Sequence, residues 1–259
     1  MELLDFITAN SPAFLFVLAR TGSLLAAAPV FGSGAVPTTL KMALAILISL
    51  VVLPLTAPVP VPAGALHLAL GIAGEIIIGA AIGLAMRFIF TGIEFGARLA
   101  SFQMGLEVGA VYDPASGADS NVLGRFMSIL LLLLFLSVDG HLMILLALKR
   151  CFEVIPPYGV GFSGEFFENM VILSKQVFIL AVKFSAPVVA LMVFANVVMG
   201  LVGRAAPQAS AFALGASVTI VAGFIILALS MSAFEDAAMG AFDTMWDGVA
   251  VLIGGMGHA

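Results

Sequence analysis

Apolar runs of about 20 residues, the length that crosses the hydrocarbon core of a bilayer, recur along this sequence. Within lipid, backbone N–H and C=O groups find no partners outside the segment, and a helix satisfies them internally. Apolar residues make up 62% of the chain and charged residues only 10%, unlike a soluble domain. The sequence therefore predicts an all-α, multi-span membrane protein.

Six apolar segments can be drawn, and prolines mark several of their ends. The prolines between residues 54 and 62 predict an extended connector, and Pro187 is a candidate break inside the fifth segment. The segments cover about 12–31, 38–57, 65–111, 122–155, 164–205 and 207–234. An acidic tail follows, with Glu235, Asp236, Asp243 and Asp247.

The third segment is too long for a simple span. As a helix, residues 65–111 would measure about 70 Å, more than twice a bilayer core of about 30 Å. The segment also carries charges, with Glu94 four residues before Arg98 in the favourable order for a helical pair. Either this helix extends well beyond the lipid, or its charges face a protein interior. The charged residues are Glu75, Arg87, Glu94, Arg98 and Glu107.

Glycines in the same segment favour the protein interior. They repeat a small-xxx-small spacing, which lets helix backbones approach closely. Each glycine costs a helix about 1 kcal/mol, so a helix with this many needs close packing. The sequence therefore predicts several helical neighbours for this segment. The pairs are Gly79 with Gly83, Gly92 with Gly96, and Gly105 with Gly109.

The distribution of basic residues conflicts with six full spans. Lys41 suggests a cytoplasmic loop after the first segment, but six spans then put Lys149 and Arg150 on the opposite side. The conflict disappears if the fourth segment doubles back at residues 137–141, as two half-spans of about 15 residues. The sequence thus predicts kinked helical hairpins rather than a plain six-helix bundle.

A polar island at residues 112–121 interrupts the apolar sequence between the third and fourth segments. Turn-forming residues dominate it, and their backbone groups need partners that lipid does not offer. The island therefore marks either an aqueous face or a cavity inside protein.

The sequence lacks the patterns of several function classes. A net charge of −5 without a basic patch argues against nucleic acid as a partner. The single cysteine permits no internal disulfide and no cysteine metal cluster, and no hydrolase or Walker A motif occurs. We therefore expect no metal and no cofactor.

Charged residues within the apolar segments leave a second class open. Intramembrane charges often line a substrate path, so a stand-alone secondary transporter or channel is an alternative. Structural salt bridges explain the same residues at least as well, and a purely structural scaffold is a third reading. The residues are Glu75, Arg87, Glu94, Arg98, Asp139, Lys175 and Lys183.

Several stretches resemble the FliR family of flagellar biosynthesis proteins, whose injectisome relatives are the SctT export-apparatus proteins. Their order and spacing span about residues 100–225, and the Arg-x-Ala-Pro-Gln and Asp-Pro-x-Ser motifs are together fairly specific. The stretches are Asp113-Pro114 with Ser116, Val122-Leu123 with Arg125, 132–136 with 140–142, Pro187 with Asn196, Gly200-Leu201, Arg204, 206–208, Phe212 and Gly215.

The resemblance implies a non-enzymatic subunit of the flagellar type III protein export gate, forming one domain over residues 1–259. Such proteins assemble with FliP-like and FliQ-like subunits, contact a FlhB-like protein and let unfolded export substrates pass. The implied location is the bacterial inner membrane at the basal body, with much of the assembly on the periplasmic side. The implied architecture is a set of kinked helical hairpins within a helical export-gate assembly.

The resemblance also maps a pore plug onto about residues 105–121. The plug candidates are Gly105, Gly109, Tyr112, Asp113, Pro114, Ser116 and Asn121. For Arg204 and Gln208 we favour hydrogen bonding between subunits, although the motif could equally be a helix terminator and cap. The residues expected at subunit interfaces are Gly79, Gly83, Gly92, Gly96, Glu94, Arg98, Asn196, Arg204, Pro207 and Gln208.

Overall fold

The computed structural model describes residues 11–32, 36–56, 64–106, 122–159, 161, 163–205 and 211–257. These residues form eight α-helices and one short 3-10 helix, with no strand among them, so the all-α prediction is confirmed. The α-helices are α1 Ser11–Ala27, α2 Thr38–Val52, α3 Ala65–Met104, α4 Val122–Ser137, α5 Gly140–Val154, α6 Gly164–Ala205, α7 Ala211–Leu229 and α8 Met231–Met256. The 3-10 helix, Leu53–Leu55, follows α2 directly.

Among the described residues, three helices are long and apolar enough to cross a membrane. If each of the two bent helix pairs is counted as one span, the number of candidate spans rises to five. The three are Thr38–Leu55, Ala65–Met104 and Gly164–Arg204, and α1 is apolar but shorter. The described part of the chain thus agrees with the prediction against six plain spans. The 40 residues of α3 would measure about 60 Å as a straight helix, so the excess length predicted for this segment is confirmed.

The chain divides into two compact units. The first contains Met1–Phe88, Phe135–Ser174 and Thr244–Ala259, and the second contains Ile89–Leu134 and Lys175–Asp243. Helices α3, α4, α6 and α8 contribute residues to both units, whereas α1, α2 and α5 belong to the first and α7 to the second. A single domain over the whole chain stays a prediction.

In the first unit, α1 and the first half of α3 pack through glycines. A Cβ placed on Gly83 would lie only 2.7 Å from the carbonyl oxygen of Leu24, and one placed on Gly79 would lie still closer to the carbonyl oxygen of Arg20. The two helix backbones therefore touch along a line that larger side chains would separate. Phe16 of α1 and Ile78 of α3 are both fully buried.

In the second unit, the other half of α3 packs on α6 in the same manner. A Cβ on Gly92 would lie 2.9 Å from the Val177 carbonyl oxygen, and one on Gly96 would lie 2.7 Å from that of Ala181. The close approach and the several neighbours predicted for this glycine-rich segment are confirmed. Both neighbours, α1 and α6, belong to the same chain.

The fourth apolar segment breaks where the basic residues predicted. Helix α4 has 16 residues and α5 has 15, and Asp139 between them adopts a left-handed φ of 56°. The helix axis turns by 67° there. The break and the two half-length helices agree with the sequence, but the chain bends sharply at this point rather than reversing.

Two expectations about helix ends are wrong. Pro187 lies inside the continuous helix α6, because its fixed φ suits a helix and only one backbone hydrogen bond is lost there. The region beyond residue 230, read as an acidic tail, is the 26-residue helix α8. Its buried face follows a helical period, with Phe234, Ala238, Ala241, Met245, Val249, Leu252 and Met256.

Candidate functional site

Helix α3 ends just before Gly105, a few residues ahead of the polar island. Gly105 adopts a left-handed φ of 80°, a conformation that side chains with a Cβ disfavour. Its N–H donates to the carbonyl of Phe102, and the N–H of Leu106 donates to the carbonyl of Ser101, both at 3.1 Å. These two bonds form a Schellman motif that ends the helix. The sequence predicted a helix over residues 65–111 without a stop at residue 105, although a glycine there is a usual signal for a helix end.

Helix α7 anchors the last turn of α3. The Thr219 hydroxyl donates a hydrogen bond to the carbonyl oxygen of Met104 at 3.4 Å, one of the carbonyls left free at a helix end. The Met104 side chain is fully buried and lies against Gly223, where an added Cβ would come within 2.5 Å of its Cγ. The end of α3 is therefore held by both its backbone and its side chain.

The two ends of the segment between α3 and α4 belong to one hydrophobic cluster of the second unit. Met104 at the end of α3 and Leu123 at the start of α4 both pack in it. We call this set the anchor cluster, and its buried members are Ala97, Ala100, Met104, Leu123, Met127, Val188, Met192 and Leu227. The described residues on either side of 107–121 thus pack in the same core.

The predicted plug residues fall mostly on that segment. Gly105 is described, as the glycine that ends α3. Gly109, Tyr112, Asp113, Pro114, Ser116 and Asn121 lie outside the described residues. The structure therefore defines the base of the predicted plug loop.

A second polar centre lies buried in the first unit, between α1 and α3. The Arg20 Nε atom donates to Glu75 Oε2 at 2.5 Å, and both side chains are completely buried. The same guanidinium donates to the carbonyl oxygen of Ile155 at 2.8 Å. It also lies over the ring of Phe152, 4.4 Å from its centroid, in cation–π contact.

The other carboxylate oxygen of Glu75 binds the turn after α5. Glu75 Oε1 accepts a hydrogen bond from the backbone N–H of Tyr158 at 2.8 Å. Tyr158 has a left-handed φ of 68°, and its ring contacts Phe16 of α1 with centroids 5.6 Å apart. One ion pair therefore joins α1, α3 and the chain segment following α5.

Arg20 was not among the functional or structural residues predicted from the sequence. Glu75 was noted as a charge in an apolar segment, but its partner lies 55 residues earlier in the chain. Arg20 is the one charged residue within the first apolar segment, and that isolation is the signal that could have identified it. The pair is neutral as a whole and fully buried, which suits a structural role better than a transport path.

The residues predicted at subunit interfaces fall into two groups. The four glycines pack against α1 and α6 of the same chain, and an additional role between subunits stays a prediction. The side chains of Glu94, Arg98, Asn196 and Arg204 are exposed in this chain, and the Glu94 carboxylate accepts a hydrogen bond from the Ser128 hydroxyl of α4. Pro207 and Gln208 lie outside the described residues.

Four further charges belong to the transport alternative. Arg87, Lys175, Lys183 and Asp139 have exposed side chains. Within the described residues, the pairing of Glu75 with Arg20 accounts for the buried charge of α3.

A family profile and several curated relatives place this chain in the same protein family. The profile of the family described as "Bacterial export proteins, family 1" matches residues 11–245. A protein of Pectobacterium carotovorum named flagellar biosynthetic protein FliR is 31% identical over 238 residues, 90% of each chain. The FliR protein of Escherichia coli K12 is 31% identical over 84% of each chain. That of Bacillus subtilis 168 is 30% identical over 85% of this chain and 86% of its own.

The family match covers the second unit, most of the first unit, the buried ion pair and both ends of the predicted plug loop. The identity to the FliR proteins extends over most of the chain in each case. This chain therefore belongs to the FliR family of bacterial export proteins.

Proposed function

We propose that this chain is a membrane subunit of the bacterial flagellar protein export gate, and that the loop over residues 105–121 closes its passage at rest. Membership of the FliR family supports the first statement, since its relatives are named flagellar biosynthetic proteins. The apolar helices long enough to cross a membrane support a membrane location, and we propose the inner membrane at the basal body. We propose FliP-like, FliQ-like and FlhB-like proteins as partners, unfolded flagellar proteins as substrates, and a periplasmic position for much of the assembly.

The observation that carries the plug assignment is the anchoring of both loop ends in one packed cluster. Met104 is fully buried and Leu123 is 4% exposed, so neither end moves without disturbing the core. A polar loop with fixed ends can change its own path while the helices around it stay in place. Such a loop can block ions at rest and yield to an unfolded chain.

Removing the loop tests the proposal. Deleting residues 112–121 leaves residues 105–111 and Val122 between Met104 and Leu123, which both lie in the anchor cluster. We expect the deleted protein to assemble and the cells to leak ions through the gate. A matched variant replaces residues 112–121 by the same number of glycines and serines, and we expect it to leak less than the deletion. Unchanged leakage with intact complexes would contradict the plug assignment.

Copurification separates the export gate from the stand-alone transporter. An export-gate subunit should copurify with several copies of a FliP-like protein and with a small two-helix FliQ-like protein. A transporter should purify alone or as a small homo-oligomer. Mass spectrometry of the purified complex identifies which of these is present.

A further inference from the structure

An open groove of about 330 Å³ lies on the first unit, between α2 and α5. Its volume is about ten times the 30 Å³ or so that a water molecule occupies in the liquid. No side chain that lines it can form a hydrogen bond, so water gains no partner there. The groove therefore suits a hydrocarbon occupant. Its lining consists of Leu47, Ile48, Val51, Val52, Leu145 and Leu148.

Both helices beside the groove have the composition of membrane spans. Helix α2 with the 3-10 helix that follows it is a candidate span, and α5 forms one together with α4 as a bent pair. Ser49 is the one polar side chain of α2 between Leu47 and Val52, and it is fully buried, with its hydroxyl donating to the carbonyl of Ala45 at 2.6 Å. The groove thus faces the space that lipid acyl chains occupy around such helices.

The side chains of the groove favour lipid over a helix of another protein. Helices that pack in membranes use small residues at their contacts, as this chain does where Gly79 and Gly83 meet α1 and where Gly92 and Gly96 meet α6. The six residues of the groove are all leucine, isoleucine or valine. Their branched side chains keep another helix backbone at a distance, whereas a flexible acyl chain can fill the space between them.

Two basic residues follow the groove on α5. Lys149 comes four residues after Leu145, which places both on the same face of the helix, and Arg150 is the next residue. Both side chains are exposed and both pair with Glu153, at 3.6 Å and 3.3 Å. The three residues together carry one excess positive charge. Exposed ion pairs of this kind are weak, so the two basic groups can also bind a phosphate.

We propose that the groove binds an acyl chain of an anionic membrane phospholipid, whose phosphate lies against Lys149 and Arg150. Basic residues beside an apolar surface between membrane helices are typical of sites for anionic lipid headgroups. The acyl chain covers Leu145 and Leu148, and the headgroup meets the face of α5 one turn further on. This site belongs to the first unit and is independent of the predicted plug loop.

Filling the groove tests the acyl-chain site. The full chain is purified in mild detergent with its export components, and native mass spectrometry counts the phospholipids retained. We expect Leu145→Trp to retain one phospholipid fewer per copy of this chain, because the larger ring occupies the groove. Leu146→Trp is the matched control, since Leu146 is the next residue, is exposed and does not line the groove. The control should retain as many phospholipids as the wild type.

Titration with defined lipids tests the headgroup site. We expect dioleoyl phosphatidylglycerol to bind more tightly than dioleoyl phosphatidylcholine. Replacing Lys149 and Arg150 together by glutamine should lower the affinity for phosphatidylglycerol about 20-fold and leave that for phosphatidylcholine unchanged. Glu153→Gln should raise the affinity for phosphatidylglycerol about fivefold, because it removes the carboxylate that competes with the phosphate.

Three results would overturn the proposal. The first is equal binding of the two lipids by the wild type, and the second is equal phospholipid retention by Leu145→Trp and Leu146→Trp. The third is loss of a protein component, rather than a phospholipid, from the Leu145→Trp complex, which would make the groove a docking surface for a protein. If Leu145→Trp cannot be purified, the variants at Lys149, Arg150 and Glu153 decide the outcome, because these side chains are exposed.

Discussion

Arg20 and Glu75 lie 55 residues apart in the chain, and their side chains meet at 2.5 Å with no exposure to solvent. The Glu75 carboxylate also binds the N–H of Tyr158, and the Arg20 guanidinium binds the carbonyl of Ile155. This single pair therefore ties three parts of the first unit together. Its energetic weight depends on the two charges staying paired, because an unpaired buried charge is much more costly than a neutral side chain.

Breaking the pair from one side should destabilise the chain strongly. We expect Glu75→Gln to cost about 3–5 kcal/mol, because it leaves the Arg20 charge buried without a counter-ion. Replacing both residues by methionine should restore part of the loss. Glu153→Gln is the control, since Glu153 pairs with Arg150 at 3.3 Å on the surface, where an ion pair contributes about 0–1 kcal/mol. Thermal unfolding of the purified protein in detergent measures the differences, and equal shifts for Glu75→Gln and Glu153→Gln would argue against the role given to the buried pair.

The close contact between α3 and α6 at Gly96 should not tolerate a larger side chain at this position. We expect Gly96→Ala to lower stability by about 1–3 kcal/mol, because its Cβ would lie 2.7 Å from the backbone oxygen of Ala181. Gly200→Ala provides the comparison, since nothing lies within 4 Å of a Cβ there. That change should instead raise helix stability by about 0.5–1 kcal/mol. Thermal unfolding of both variants gives the sign of each effect, and a stabilised Gly96→Ala would contradict the close packing.

The left-handed turn that ends α3 should distinguish side chains by their backbone preference. We expect Gly105→Val to cost about 1–2 kcal/mol, because a φ of 80° forces its branched Cβ against the following carbonyl. Gly105→Asn should cost less, since asparagine accepts this conformation and is the usual substitute at a helix end. Stability of the purified variants and swimming of the cells report the difference. Equal behaviour of valine and asparagine would show that the Schellman turn does not govern this position.

The anchor cluster should matter for sealing as well as for stability. We expect Met104→Ala to cost about 2–5 kcal/mol through the cavity it leaves, and to raise the resting ion leak of cells. Met104→Leu keeps the volume and should behave nearly as wild type. Met239→Ala removes a methionine that is 40% exposed, so it should change neither property. If Met104→Ala and Met239→Ala leak equally, the loop is not held by this cluster.

Sequence patterns predicted the helices best where the signal is local. The starts of α2, α3, α4 and α6 agree closely with the apolar segments, and the break before Gly140 was found from the charge distribution. The end of α3 was missed because Gly105 was read as part of a packing repeat rather than as a helix stop. Helix α8 was not predicted because its acidic residues were taken as a sign of a polar tail, although its apolar residues repeat with a helical period and form a buried face.

The candidate site could be predicted only in part. The polar island stood out from composition, and the glycine spacing of α3 indicated close neighbours. Which helices those are does not follow from spacing, since α1 and α6 offer equally apolar surfaces. The pairing of Arg20 with Glu75 required two distant segments to meet, and no local pattern links them.

The sequence alone determined that this chain is helical, apolar enough for a membrane, and interrupted by one polar loop, because helix periodicity, span length and turn residues are local properties. Family membership also follows from the sequence, because a family profile matches the residues directly and needs no information on how the helices pack. The tertiary structure decided which helices touch, that the charge of Glu75 is neutralised inside the chain, and that both loop ends belong to one core. These depend on contacts between residues far apart in the chain, where side-chain shape and charge select a partner only once the helices are packed.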